Sequence, residues 1–334
     1  VRPPPEDEIL ARYPLSWDFD GFRIPQRTAD TYPIAALGDS FTEGANVPLP
    51  YPDLIAEALD VAVRNYGYRG YGPYEIMDVA RDYLGSEPRT WVLYAHFSGN
   101  DLNEILRTEQ NRVNERNPFF KLPFALQQAS ENIAAQAAQG DLPDDETDYN
   151  YPVPVIVADK FYEMAFLDMY FWWQLPPLDI DYLESDTFDV LRQTLQTIDL
   201  QTSQQTCHAL IFVPTKEQLY YPYIHENARR HLRAVASRPA TLSDDNTMLA
   251  LSTQPFSAKQ EAAVIADMSA QRDALAQLAT EQGWHFIDLL TPFQARVAAG
   301  DLLYYRYDTH WNQDGHTLAA NIIADYISGV GEIC

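Results

Sequence analysis

Apolar positions along the chain follow two rhythms that alternate from about residue 32 onward. Tyr32 to Leu37 is a short apolar run closed by Gly38, the pattern of a buried strand. Tyr51 to Leu59 then sets Leu54, Ile55, Ala58 and Leu59 on one helical face. Asp60 to Asn65 reads as a second strand, followed by a glycine-rich turn from Gly67 to Gly72. Tyr74 to Leu84 returns to helical spacing. Trp91 to Phe97 is a third apolar run, ending in the turn Ser98-Gly99-Asn100-Asp101. Strands and helices alternating in this way predict parallel βαβ units in an α/β fold, a three-layer α/β/α sandwich. In such sheets ligands sit at the carboxyl ends of the strands, where this chain places turns rich in Gly, Ser, Asn and Asp.

The alternation breaks at about 102–185. A stretch rich in Ala and Gln, an acidic loop (Asp141 to Asp148) and an aromatic segment, Phe161 to Leu178, follow one another there. That segment contains Phe166, Tyr170, Phe171, Trp172 and Trp173. An insertion is expected here, a large helical and aromatic one. Its aromatic surface serves core packing, a protein partner or self-association, or else forms a lid over the functional edge. The α/β pattern resumes with a helix near Phe188 to Thr202 and a strand at Ala209 to Val213. A smaller insertion at about 220–255 carries Arg229, Arg230 and Arg233. A long helix near Ala258 to Glu281, closed by Gly283, a strand at Trp284 to Leu289 and a terminal helix at Asp314 to Ile327 complete the pattern. Residues 1–31, proline-rich and then polar, read as an extended lead-in that packs on the core.

Charge narrows the functions available. The 334 residues include 48 acidic and 23 basic side chains, a formal net charge of -25, and such a surface repels nucleic acid and anionic lipid alike. No uninterrupted apolar stretch is long enough to span a bilayer. The two cysteines, Cys207 and Cys334, leave a disulfide open, and no metal-ligand cluster is visible. The first residue is Val1, which reads as processing or truncation. An extracytoplasmic location, periplasmic or secreted, is the expectation attached to it.

The chemistry lies in the turns. An alcohol nucleophile needs a base, a group that orients the base, and donors for the developing oxyanion. Ser40, in Gly38-Asp39-Ser40-Phe41-Thr42-Glu43-Gly44, follows the first strand, so its hydroxyl and its own N–H can both reach the sheet edge. Gly70 follows the second strand, where a glycine N–H can approach a substrate oxygen, although Gly67 and Gly72 lie close by. Asn100 follows the third strand and offers a side-chain amide. Near the C-terminus Asp308-Thr309-His310-Trp311 supplies a carboxylate and an imidazole just before a helix. His316 and Asp314 are the nearest rivals to that pair. Asp39 is expected to hydrogen-bond at the strand end, and Trp311 either lines the acyl site or packs beneath the loop. Lys216 and Glu217 are expected to form an ion pair at the same edge.

These blocks resemble the SGNH (GDSL-type) hydrolase superfamily, whose Ser, Gly, Asn and His come in this order and match Ser40, Gly70, Asn100 and His310. The resemblance implies a flavodoxin-like sheet in a single SGNH hydrolase domain over residues 32–334, and hydrolysis or transfer of acyl groups. It implies catalytic Ser40, His310 and Asp308, an oxyanion hole of Ser40, Gly70 and Asn100, and no metal or organic cofactor. Asp308 and His310 stand one residue closer than the family's common Asp-x-x-His. Asp-x-His-Trp resembles the form in the alginate acetyltransferase relatives, which modify exopolysaccharide. The expected function is therefore a serine esterase that deacetylates a carbohydrate or similar small-molecule or polysaccharide ester. The alternatives are a polysaccharide O-acetyltransferase with the same triad, and a non-catalytic carbohydrate-binding or structural assembly protein on a hydrolase fold.

Overall fold

Long apolar runs form the centre of a five-stranded sheet, ordered Val63–Gly67, Ile34–Gly38, Trp91–Phe97, Cys207–Val213 and His285–Asp288 across it, with every pairing parallel. The computed structural model describes residues 13–102, 104–105, 108–109, 153–166, 182–229, 262 and 268–330. The strands are β1 (Ile34–Gly38), β2 (Val63–Gly67), β3 (Trp91–Phe97), β6 (Cys207–Val213) and β7 (His285–Asp288). Every residue of β1 and β3 is buried, as expected of inner strands covered on both faces. The edge strands β2 and β7 carry polar positions instead. β2 starts at Val63 and not at Asp60. Asp60 takes a left-handed conformation (φ 55°) that ends the preceding helix, so extended backbone can begin only after it.

The helices are α1 (Ser40–Glu43), α2 (Tyr51–Leu59), α3 (Pro73–Tyr83), α4 (Asp186–Gln201), α5 (Lys216–Tyr220), α6 (Ala270–Glu281), α7 (Leu290–Ala298) and α8 (Gln313–Val330). α2 packs on α8, and α3 packs on α4. These pairs form the outer layers, because right-handed crossovers from β1 to β2 and from β2 back to β3 place their helices on opposite faces. The order is that of a flavodoxin-like doubly wound sheet, whose switch point falls between β1 and β3. Ser40 and Asn100 follow these two strands directly. α6 ends as expected at Gly283 (φ 74°), and the residues immediately before 268 in the expected long helix lie outside the described residues.

Within the expected insertion the described residues include a β-hairpin of β4 (Val153–Val157) and β5 (Lys160–Met164). Its two-residue turn, Ala158-Asp159, has positive φ at both positions, the conformation that matches strand twist. The hairpin braces the segment before Asp308. The Lys160 ammonium and the Tyr162 hydroxyl donate to Gly300 O (2.9 and 3.2 Å), and the Ala165 N–H donates to Arg306 O (2.8 Å). The Ala- and Gln-rich stretch, the acidic loop, Tyr170 to Trp173, Arg230 and Arg233 lie outside the described residues. In the lead-in, buried Arg23 donates to the carbonyls of Gly44, Val47 and Pro48, anchoring the loop that leaves α1. Cys207 is disulfide-bonded, and Cys334 lies outside the described residues.

Candidate active site

At the carboxyl end of β1 the chain turns directly into α1, and Asp39 makes that turn. Its Oδ1 accepts from the Phe41 N–H (2.9 Å), and its carbonyl accepts from the Thr42 and Glu43 N–H groups. A side chain on Gly38 would overlap Thr42 Oγ1, so only glycine lets α1 fold back this closely. Ser40 is therefore the first residue of α1, half-buried, with its hydroxyl held at the sheet edge.

His310 meets it from the other end of the chain. Its Nε2 lies 2.8 Å from Ser40 Oγ, and its Nδ1 lies 2.6 Å from Asp308 Oδ1. The same carboxylate oxygen accepts the His310 backbone N–H at 2.7 Å. The close Asp-x-His spacing makes this double use possible, because one oxygen fixes both the main chain and the ring of the histidine. With Nδ1–H donating to Asp308, Nε2 is left as the lone-pair nitrogen facing the serine hydroxyl.

Several ties bring the two chain segments together. The Tyr304–Trp311 bridge and the Tyr305 N–H to His310 O bond close the 304–311 turn. The Tyr305 hydroxyl donates to Asn46 O (2.9 Å), and Asn46 Nδ2 donates to Trp311 O (3.0 Å). Lys216, fully buried at the start of α5, donates from Nζ to the carbonyls of Arg306 (2.7 Å) and Asp308 (3.1 Å). Its ammonium thus braces the acid's turn, a use the expected pair with Glu217 did not foresee. Trp311 is fully buried among Phe41, Tyr51, Phe293 and Tyr304, so it packs beneath the loop and does not line the site. His316 is also in the core, stacked on Tyr51 with Nδ1 accepting the Tyr51 N–H (3.3 Å), and it does not approach Ser40 as a rival base.

The electrostatics divide the pair into acid and base. Burial disfavours the His310 imidazolium, but the hydrogen bond and charge of Asp308, followed by the charges of Asp39 and Glu43, outweigh it and raise the His310 pKa. Burial pushes the Asp308 carboxyl up, yet bonds from His310 and the charges of His310 and Lys216 hold it below its ordinary value. Asp308 is thus an ionised partner. Asp39, fully buried, is driven up to about 6 by desolvation.

Three glycines follow β2, and the structure separates them. Gly67 gives its N–H to Asn65 Oδ1 (2.8 Å), and a side chain there would overlap Glu43 N and Thr42 C. Gly72 gives its N–H to Glu75 Oε2 (3.0 Å), at the start of α3. Gly70 is exposed with φ 76°, no atom lies within 4 Å of where a Cβ would be, and among the described residues its N–H has no acceptor. Asn100 opens the helical turn after β3, half-buried, its carbonyl accepting the Glu104 N–H (2.8 Å). Its Oδ1 is buried and unpaired among the described residues. Sequence reasoning missed one ion pair here, between Glu43 on α1 and Arg69 just before Gly70. Glu43 lies in the same block as Ser40, but nothing local points to a cation 26 residues away.

Residues 212–332 match the family model described as the SGNH hydrolase-like domain, acetyltransferase AlgX. Over that stretch, less than half of the chain, the sequence is similar to this SGNH hydrolase-like family. The match contains Lys216, Asp308, His310 and Trp311, whereas Ser40, Gly70 and Asn100 precede it, and Ser40 reaches the matched segment through its contact with His310. The fold is similar to that of an extracellular lipase from Streptomyces rimosus (12% identity, TM-score 0.44, 89% of this chain and 100% of that chain covered). It is similar also to Axe2, an acetylxylan esterase from Geobacillus stearothermophilus (13% identity, TM-score 0.38, 90% and 95% covered). At these values neither likeness bears on activity. No curated protein matches the chain significantly.

Proposed function

We propose that the chain is a serine esterase of SGNH type, acting on an acylated carbohydrate through an acyl-enzyme on Ser40. The observation that carries this reading is the 2.8 Å contact of Ser40 Oγ with His310 Nε2, continued at 2.6 Å to Asp308. His310 takes the hydroxyl proton as Ser40 Oγ attacks the ester carbonyl carbon. The tetrahedral oxyanion is met by the N–H groups of Ser40 and Gly70 and by the Asn100 amide. His310 then gives its proton to the leaving alcohol oxygen as the C–O bond breaks. Water, deprotonated in turn by His310, attacks the acyl-enzyme and releases the carboxylic acid and free Ser40. The open, unpaired N–H of Gly70 supports its place in that hole, and removing one such donor typically costs about 10²–10³ in kcat.

A second reading shares every step but the last. If a sugar hydroxyl replaces water, the enzyme is a polysaccharide O-acetyltransferase. The family match over Asp308, His310 and Trp311 favours it, since that family is described as an acetyltransferase. The carbohydrate part of both readings rests on the same stretch. An extracytoplasmic location is part of the proposal and is supported by the disulfide at Cys207, because disulfides persist in oxidising compartments.

Acetate release from 4-nitrophenyl acetate and from an acetylated xylo-oligosaccharide tests the reading. Wild type is expected to release acetate from both, and His310→Ala to be slower by about 10²–10⁴-fold. Equal rates in the two proteins would refute the mechanism. Adding an unacetylated oligosaccharide assigns the second step, because a transferase diverts acetyl to it and an esterase does not.

A further inference from the structure

Glu43 is the last residue of α1, three positions after Ser40, and its side chain is only 1% exposed. Arg69 meets it with three donors. The Arg69 backbone N–H and Nε donate to Glu43 Oε2 (3.1 and 3.2 Å), and Nη2 donates to Oε1 (2.7 Å). The arginine side chain itself is 60% exposed, so it closes over the carboxylate from the solvent side. Arg23, another cation near Glu43, is spent on the carbonyls of Gly44, Val47 and Pro48. Arg69 immediately precedes Gly70, whose turn is otherwise held by the Tyr71 N–H to Tyr68 O bond (3.1 Å) and the Tyr68 N–H to Gly38 O bond (3.2 Å).

We infer that Arg69 is a positioning residue for this site: by closing on the buried Glu43 carboxylate it locks the Gly70 turn to the helix that carries Ser40. The inference rests on the reading of Ser40 as nucleophile and Gly70 as oxyanion donor. Its physical basis is that a bidentate guanidinium fixes orientation as well as distance, whereas a lysine supplies only a point charge. Oxyanion donors stabilise a transition state only when they are held in place beforehand, so a loosened Gly70 turn costs turnover and not ground-state binding. The clamp also sets a charge balance. Three carboxylates act by charge on His310: Asp308 from its own turn, Asp39 from the end of β1, and Glu43 from α1. From α8 it faces the neutral imidazole of His316, and Lys216 acts on its partner Asp308. Arg69 is the cation paired with Glu43. Removing it strengthens the negative field at His310, and removing Glu43 weakens that field.

The test measures fluorophosphonate labelling and the pH profile of 4-nitrophenyl acetate hydrolysis in wild type, Arg69→Met, Arg69→Lys and Glu43→Gln. Backbone hydrogen exchange over residues 68–72 is followed alongside. Arg69→Met is expected to lose about 10- to 100-fold in kcat, part of the full cost of an oxyanion donor, with KM changed less than kcat. Its acid limb moves to higher pH, and that of Glu43→Gln moves to lower pH. Arg69→Lys keeps the wild-type limb but remains slow. Faster exchange at residues 68–72 accompanies all three. Wild-type kcat and exchange in Arg69→Met and Arg69→Lys would overturn the inference, as would acid limbs that move together or stay still. If wild type itself fails to label at Ser40, the proposed function fails. A wild type that labels beside variants that behave like it sinks the clamp alone.

Discussion

Two opposing effects meet at His310: partial burial works against its charge, and three nearby carboxylates work for it. The carboxylates win, so the imidazole holds its proton above the ordinary value of about 6.5. In the proposed reaction only the neutral ring can accept the proton of Ser40. Activity is therefore lost as pH falls through this raised pKa, and the acid limb of kcat/KM is expected above pH 6.5. Asp308→Asn removes the largest favourable influence, so its acid limb should fall, with kcat lower by about 10²–10⁴-fold because the ring loses its orientation. A pH–rate profile of both proteins checks limb and rate together. Lys216 is the other decisive side chain of this turn. Lys216→Met removes the buried donor of the Asp308 carbonyl and leaves Arg306 O with the Ala165 N–H, and should destabilise by about 1–3 kcal/mol in denaturant titration. That Ser40, Asp308 and His310 meet could be expected from the sequence because four short blocks, each weak alone, occur together in one order at the strand ends. Lys216 could not, because its role depends on a turn 90 residues further along the chain. The same holds for the Glu43–Arg69 pair.

Among the elements, legibility followed how far each depends on its own residues. The runs in β1 and β3 are apolar because both faces are covered, and they were readable at once. The end of α6 is marked by Gly283, whereas Asp60, which ends α2, reads in the sequence as the start of the strand that follows. The β4–β5 hairpin was overlooked, since Ala158-Asp159 lacks the Asn-Gly or Asp-Gly signal of a tight turn. α7 was overlooked too, its Leu290–Ala298 stretch lying between the expected last strand and the Asp308 block. The contact between β2 and α1 offers a test at this scale. Gly67→Ala drives a methyl group into Glu43 N and Thr42 C, backbone atoms that cannot turn aside. It should cost about 1–3 kcal/mol of stability and slow labelling of Ser40 as α1 shifts. Thermal melting together with probe kinetics reads both effects. An unchanged melt would show that α1 is not pressed on β2.

For the molecule as a whole, the alternation of strands and helices was enough to give a doubly wound parallel sheet, and the resemblance supplied its flavodoxin-like order. What pattern alone could not give was the side-chain population beneath the sheet edge. Desolvation lowers buried His96 and His316 to about 3 and His208 to about 4. In the unfolded chain these rings take up protons near pH 6.5, so their contribution to stability is complete above that pH and is lost as pH falls from 6.5 toward 3. Asp39, raised to about 6, runs the other way, its contribution fading as pH rises from about 4 to 6. His316→Asn keeps an acceptor for the Tyr51 N–H but removes the titration. It should be less stable than wild type at pH 7, with the gap narrowing steadily toward pH 4, as chemical denaturation at several pH values would show.

The proposed function rests on a nucleophile at Ser40. Incubation of the folded protein with a fluorophosphonate probe, followed by peptide mass mapping, tests that claim most directly. Wild type should carry one adduct, on the peptide containing Ser40, and Ser40→Ala should carry none. A folded wild type that stays unlabelled, or a Ser40→Ala variant labelled equally fast, would contradict the account.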